Sequence, residues 1–479
     1  MIIGLAVCAV MLAGAWFARK LGMPKFNVVS AFTISWVAMI VIATVFGGLT
    51  DPIVEFTWVV ILTGWASLFV GAIVGWALGK NRRPEVAAKP IVIDLRRTTR
   101  FHVLFTALLA VYLIIRFQSA WPLISAAGGW EAVLGTGANA YRSASLSLAL
   151  SDSQEGLTGG FLGPLINYGT FIPGMLATYT GAVLWRGHRR LLGITPVVLS
   201  GFLGLLTLQR TSIMIVLLLF IIAVWQLRLT GVEIATTHKD SSASDSKRPR
   251  TGRFAALVAT IALLGAAGSF LFVTTTARTD QSRGSGFQAS IGEYVVGGIA
   301  GINTRSANAG AWPLIPADIP GHFDPSPGLG GYTFTGLWTV LQRIGFPVST
   351  TRVNLDFTQA TMFGDATVTN VVSALGEFYL DFRMPGLVIL SFLLGLGGAF
   401  FQRRLIGSRR VTSIPITSFL LTFSFWSFFV AWSSDLRQLL VAVLGGLVLS
   451  WVVRARAESP GRRSPAGVAN PLPQSGTAG

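Results

Sequence analysis

Apolar runs of about 16 to 23 residues, each long enough to cross a hydrocarbon layer of roughly 30 Å as a helix, recur along nearly the whole chain. Eleven can be placed: Ile2–Phe17, Asn27–Gly47, Phe56–Leu78, Phe101–Ala120, Ile166–Trp185, Leu191–Leu208, Thr211–Leu227, Phe254–Thr275, Gly386–Phe401, Ile416–Ser433 and Leu439–Val453. Inside lipid the backbone must satisfy its own hydrogen bonds, and long apolar runs without period-two alternation do so only as helices. Of the 479 residues 12% are charged, against about a quarter in soluble domains, so a single water-soluble core is excluded. The expected fold is an all-α polytopic membrane protein of about eleven transmembrane helices.

Charge sets the expected orientation. Assigning the connecting segments alternately to two sides puts 27 Lys+Arg and 6 Asp+Glu on one face and 10 and 14 on the other, a contrast of +21 against −4. The basic face is the cytoplasmic one by the positive-inside rule, which places the N-terminus outside and the C-terminus in the cytoplasm. The first run has no basic leader and is followed by Arg19, Lys20 and Lys25, the reverse of a secretory signal, so it reads as a span. Short basic clusters at span ends suit anionic membrane lipid, and the absence of a basic stripe with interleaved aromatics argues against nucleic acid as a partner.

These boundaries divide the chain into a membrane unit with spans 1 to 7 (1–229), a cytoplasmic loop of disordered composition (230–253), span 8 (254–275), a large outer loop with short helices (276–385), spans 9 to 11 (386–456) and a second stretch of disordered composition, the cytoplasmic tail (457–479). Within the large loop, helical pieces are expected around Ser290 to Ile299 and from Thr369 to Phe382. Pro385 stops the second short of span 9.

Candidate chemistry concentrates at that outer face. Read as a helix, 369–382 aligns Asn370, Ser373, Glu377 and Asp381 in one polar stripe, with Phe378 and Phe382 beside it to embed in the interface. Two carboxylates one turn apart suit polarising a sugar hydroxyl; equally, they suit helix capping or ion pairing. Arg210 falls between spans 6 and 7 with almost no loop to escape into, so its guanidinium calls for an anionic partner, an outer acid or a phosphate. The large loop adds Arg278, Arg283, Arg305, Arg343 and Arg352 and no lysine, a choice that favours bidentate anion recognition. Asp435 and Arg437 read as a local solvated pair. The lone Cys8 lies inside the first run, where packing is its expected role, and His102, His188, His238 and His322 are scattered. No metal site and no cofactor is expected, and P-loop, dinucleotide and Gly-x-Ser-x-Gly motifs are absent.

The stretch Glu377-Phe378-Tyr379-Leu380-Asp381-Phe382-Arg383-Met384-Pro385-Gly386, the Gly-rich span from Phe392 to Gly398 and the basic stop Arg403-Arg404 resemble the late region of Wzy-type O-antigen polymerases, the bacterial oligosaccharide repeat-unit polymerases. Members show a Phe-Tyr-x-Asp-Phe-Gly element there; Arg383 stands where that glycine would be. Arg210-Thr211 opening an apolar span also resembles the family, as does Ile291-Gly292-Glu293-Tyr294 to Gly298. The closest matches cover about 45 residues.

The resemblance implies an integral-membrane glycosyltransferase of the bacterial cytoplasmic membrane that extends a polyprenyl-diphosphate-linked oligosaccharide on the outer side, without nucleotide sugar or metal. A flippase and a chain-length regulator would be its partners. On that reading Glu377, Asp381 and Arg210 are the catalytic candidates. Arg210, Arg278 and Arg283 would bind the diphosphate, and Tyr379, Arg343 and Arg352 would complete the substrate contacts. A transporter or flippase of the same lipid-linked oligosaccharide, or an O-antigen ligase, shares the span-rich layout. Transporters place charges inside spans, however, and nearly all charges here sit at interfaces or in loops.

Overall fold

A computed structural model describes residues 2–45, 52–80, 91–134, 141, 162–207, 210–230, 233–235, 296–307, 333–334, 337, 341, 346, 361–363, 367–369, 373–408, 410–428 and 436–455. They are mostly helical. In chain order the elements are α1 (Ile2–Lys20), α2 (Val28–Val45), α3 (Glu55–Leu78), β1 (Ile91–Asp94), α4 (Leu95–Ala126), α5 (Trp130–Leu134), α6 (Leu162–Arg186), α7 (Arg190–Thr207) and α8 (Arg210–Thr230). Then follow β2 (Glu233–Ala235), α9 (Gly297–Ala307), β3 (Thr361–Phe363), β4 (Thr367–Thr369), α10 (Ser373–Ser408), α11 (Ile414–Trp426), α12 (Leu436–Val452) and β5 (Val453–Ala455).

Ten of the eleven apolar runs fall wholly or in part on these helices; the eighth, Phe254–Thr275, falls outside the described residues. By length and composition α1, α3, α4 and the Asp381–Gly407 part of α10 are able to cross a membrane, and shorter apolar helices accompany them. Large apolar side chains exposed along α1, among them Ile2, Leu5, Val10 and Leu12, suit a lipid-facing surface.

The tightest packing is between α3 and α10. A Cβ on Gly71 would strike the Phe392 carbonyl, one on Gly75 the Leu396 carbonyl, and one on Gly395 of α10 the Leu68 carbonyl. Glycine at these three positions therefore lets the two backbones touch, the small-residue solution by which helices associate in lipid. Around this pair α1, α2, α9 and α11 close one hydrophobic core, and α6, α8 and α12 close a second.

Side-chain and strand contacts sort the helix ends into two groups. At one end Gln402 Nε2 donates to the Phe26 carbonyl at 3.0 Å, Arg403 covers the Trp76 ring at 4.3 Å and Phe26 meets Trp225 edge-on at 5.7 Å. His102 joins α4, α6 and α7 there through Thr180 Oγ1 at 3.1 Å and the Leu192 carbonyl at 2.8 Å. A small sheet of order β2-β1-β5, parallel then antiparallel, ties the start of α4 to the ends of α8 and α12. Asp94 closes β1 and caps α4, accepting from the Arg96 and Arg97 backbone N–H groups at 3.0 Å each. This end gathers the described segments that the sequence assigns to its basic face. Glu233–Ala235 is a strand although it lies inside the 230–253 stretch of disordered composition, because it pairs with β1; Val453–Ala455, a strand as well, precedes the 457–479 tail, and residues 236–253 and 457–479 lie outside the described residues.

Candidate functional site

The opposite end holds the start of α10. Here the chain departs from the expected helix over 369–382: Thr369 belongs to β4, Asn370 lies outside the described residues, and the helix opens at Ser373. Ser373 has φ +62°, and its hydroxyl accepts from the Gly376 N–H at 3.2 Å, a capping geometry in place of membership in a polar stripe.

The first turns of α10 are enclosed in the bundle, whereas the sequence suggests an amphipathic helix on the membrane surface. The Ala374 N–H donates to the Ser427 carbonyl at 2.7 Å at the end of α11, and Leu375 packs on Gly64 of α3. Phe378 stacks on Phe423 of α11 at 6.4 Å instead of meeting the membrane interface, and Tyr379 meets Phe56 of α3 edge-on at 5.7 Å. Glu377 sits on this turn with 3% of its surface exposed, a buried carboxyl group. In such surroundings electrostatic interactions count for more than in water.

One turn on, Asp381 is half-buried and its Oδ2 accepts the Thr333 backbone N–H at 2.5 Å. The helix then breaks. Arg383 has φ +59° and ψ −157°, a region that only glycine occupies without strain, and the second half of α10 resumes around Pro385. The Arg383 guanidinium lies over the Tyr379 ring at 5.9 Å.

Sequence reasoning missed a second wall of this site. Helix α9 was expected as a loop helix ending near Ile299. It runs to Ala307, and residues 296–303 are buried between α2, α3, α10 and the end of α11. At 11 residues, roughly 16 Å, it is too short to cross a hydrocarbon layer. Gly298 lets the Phe428 carbonyl approach, and Asn303 clamps the helix to the α2–α3 connection. Asn303 Oδ1 accepts from Val54 N at 2.8 Å and from Thr57 Oγ1 at 3.0 Å, while Nδ2 donates to the Pro52 carbonyl at 3.2 Å. Deeper in, Trp36 Nε1 donates to Ser427 Oγ at 2.9 Å. The signal available for α9 was the short run from Val295 to Ile302, small and apolar but too brief for a span.

Arg210 is the first residue of α8, and because α8 ends at the basic end, Arg210 stands at the end that holds Glu377. Its side chain lies outside the described residues, as do Arg278, Arg283, Arg343, Arg352, His322 and Asp435 and the side chains of Arg305 and Arg437. Glu377, Tyr379 and Asp381 are thus the candidates that the structure places together. At the same end, Tyr141 donates from its hydroxyl to the Leu206 carbonyl at 2.5 Å, and burial pushes its phenol above the usual value. Cys8 is buried, consistent with packing, and among the described residues no three His, Cys, Asp or Glu side chains gather as metal ligands. No family model, curated protein or solved structure matches the chain.

Proposed function

We propose that this chain is an eleven-span glycosyltransferase of the bacterial cytoplasmic membrane, N-terminus outside and C-terminus in the cytoplasm, that polymerises polyprenyl-diphosphate-linked oligosaccharide repeat units. The observation that carries the reading is the backbone at Arg383. Where the resembled polymerases have glycine after Phe-Tyr-x-Asp-Phe, this chain keeps a glycine conformation although it carries arginine. The grouping of basic segments at a single end of the bundle supports the orientation.

In this reading the hydroxyl oxygen of an incoming lipid-linked repeat unit attacks the anomeric carbon at the reducing end of the growing chain. The bond from that carbon to the phosphate oxygen breaks, and polyprenyl diphosphate leaves with the electron pair. Glu377 takes the hydroxyl proton, which its buried place on α10 suits. Arg210, with Arg278 and Arg283, binds the diphosphate and stabilises the charge that builds on it. Tyr379, Arg343 and Arg352 contact the sugars.

The test is the glycan ladder of the native cell with and without the gene, together with the lipid-linked precursor pool. Loss of long chains, with single repeat units still delivered to their acceptor, is the expected result. An unchanged ladder overturns the proposal, and precursors trapped on the cytoplasmic leaflet would move the assignment to a flippase. Full-length polymer that fails to reach its final acceptor would mark a ligase.

A further inference from the structure

Asp381 faces the same way as Glu377, four residues earlier on a helix of 3.6 residues per turn, yet the two carboxylates are engaged differently. Glu377 is walled in by the bundle. Asp381 instead accepts a backbone N–H from Thr333, a residue with no exposed surface and 48 positions away in the chain. The next pair along repeats the contact in apolar form, with the Phe334 and Phe382 rings meeting at 6.3 Å and 62°. Two adjacent residues of one segment are therefore fastened to two adjacent residues of α10, one by a charge-assisted hydrogen bond and one by an edge-on ring pair. The fastening lies immediately before the break at Arg383, so it acts on the short helical piece that carries Glu377.

From this juxtaposition we infer that Asp381 is a positioning residue: it latches residues 333–334 across the face of α10 that bears Glu377 and so controls access to that carboxylate. The consequence for sugar transfer rests on the function proposed above, whereas the latch itself does not. A second reacting carboxylate would need its oxygens turned to substrate, and at least one Asp381 oxygen is turned to the Thr333 amide.

The experiment uses the full-length protein in lipid nanodiscs. Hydrogen exchange is followed in peptides covering 333–334, in wild type, Asp381→Asn, Asp381→Ala and Phe334→Ala. Exchange at 333–334 is expected to quicken in that order for the two Asp381 variants, by at least about tenfold in Asp381→Ala, with Phe334→Ala also faster than wild type. Peptides from α3 and from α10 beyond Pro385 should hold their rates. Unchanged exchange at 333–334 in Asp381→Ala overturns the latch, and so does equal quickening throughout α3 and α10, since Asp381 would then be holding the bundle. In a Cys8→Ser background, a cysteine introduced by Glu377→Cys should react with a water-soluble maleimide several times faster once Asp381→Ala is added. No change in that rate overturns the control of access. Neither readout involves glycan, so a failed latch and a failed polymerase assignment are told apart.

Discussion

Asn303 of α9 accepts the backbone N–H of Val54 at 2.8 Å across 249 positions of sequence, a polar clamp on a short helix whose Val296, Ile299 and Ile302 are packed in the core. It also accepts from Thr57 and donates to Pro52, so replacing it takes the partner from two donors and an acceptor, of which the Thr57 hydroxyl belongs to a fully buried residue. Asn303→Ala should destabilise the protein by about 2 to 3 kcal/mol, seen as a lower thermal midpoint in detergent. Asn303→Asp keeps the acceptor and should retain more stability than alanine below neutral pH, where the carboxyl is more readily protonated. A midpoint unchanged in Asn303→Ala would show that α9 is held by its apolar contacts alone.

The backbone at Arg383 reverses an ordinary preference. Inside a helix alanine is favoured over glycine by about 1 kcal/mol. With φ +59° and ψ −157°, a Cβ at this position is strained, by about 1 to 3 kcal/mol. Arg383→Gly and Arg383→Ala lose the same guanidinium contact with Tyr379, so the difference between them isolates the backbone. The glycine variant should be the more stable by about 1 kcal/mol or more. Equal melting, or a more stable alanine variant, would mean that the helix break is not maintained in the membrane.

Small residues between α3 and α10 give a matched comparison. A methyl on Gly75 meets the Leu396 carbonyl, which a rigid helix backbone cannot withdraw, whereas one on Gly407 meets nothing within 4 Å. Gly75→Ala should cost about 1 to 3 kcal/mol, and Gly407→Ala should be neutral or stabilising by up to about 1 kcal/mol. Both are read from unfolding in mixed micelles. Similar behaviour of the two would remove the close approach of α3 and α10 as a source of stability.

Membrane helices were legible because a run such as Phe56–Leu78 declares itself by length and polarity alone, with no help from tertiary contacts. An end to the helix ahead of Pro385 was legible from the proline itself, although the break falls at Arg383, one residue earlier than the position that a proline restricts directly. What the sequence hid is non-local. The strands at Ile91, Glu233 and Val453 are three or four residues long and exist because they pair with one another, so no window along the chain contains their cause. The spacing of Glu377 and Asp381 was read correctly as one helix face. Which way that face looks depends on α3, α9 and α11, and a single helix carries no record of its neighbours. Asn303 escaped notice for the same reason: an asparagine in a Gly-rich stretch gains its role only when Val54, Thr57 and Pro52 arrive beside it.

The proposed chemistry separates two residues at the same end of the bundle. Glu377→Gln keeps shape and hydrogen-bonding capacity but cannot take a proton, so polymer formation should fall by roughly 10²- to 10⁴-fold, the usual contribution of a positioned general base. Arg210→Lys keeps a charge and loses the planar fork, so if the guanidinium holds a diphosphate in bidentate fashion, lysine should recover only part of the activity that alanine abolishes. Each variant is scored by the long-chain glycan ladder in cells lacking the native gene, with the amount of protein in the membrane fraction measured alongside. Normal ladders from Glu377→Gln at normal protein levels would remove Glu377 from the reaction. Full recovery by Arg210→Lys would reduce Arg210 to a point charge near the phosphate and leave its geometry without a role.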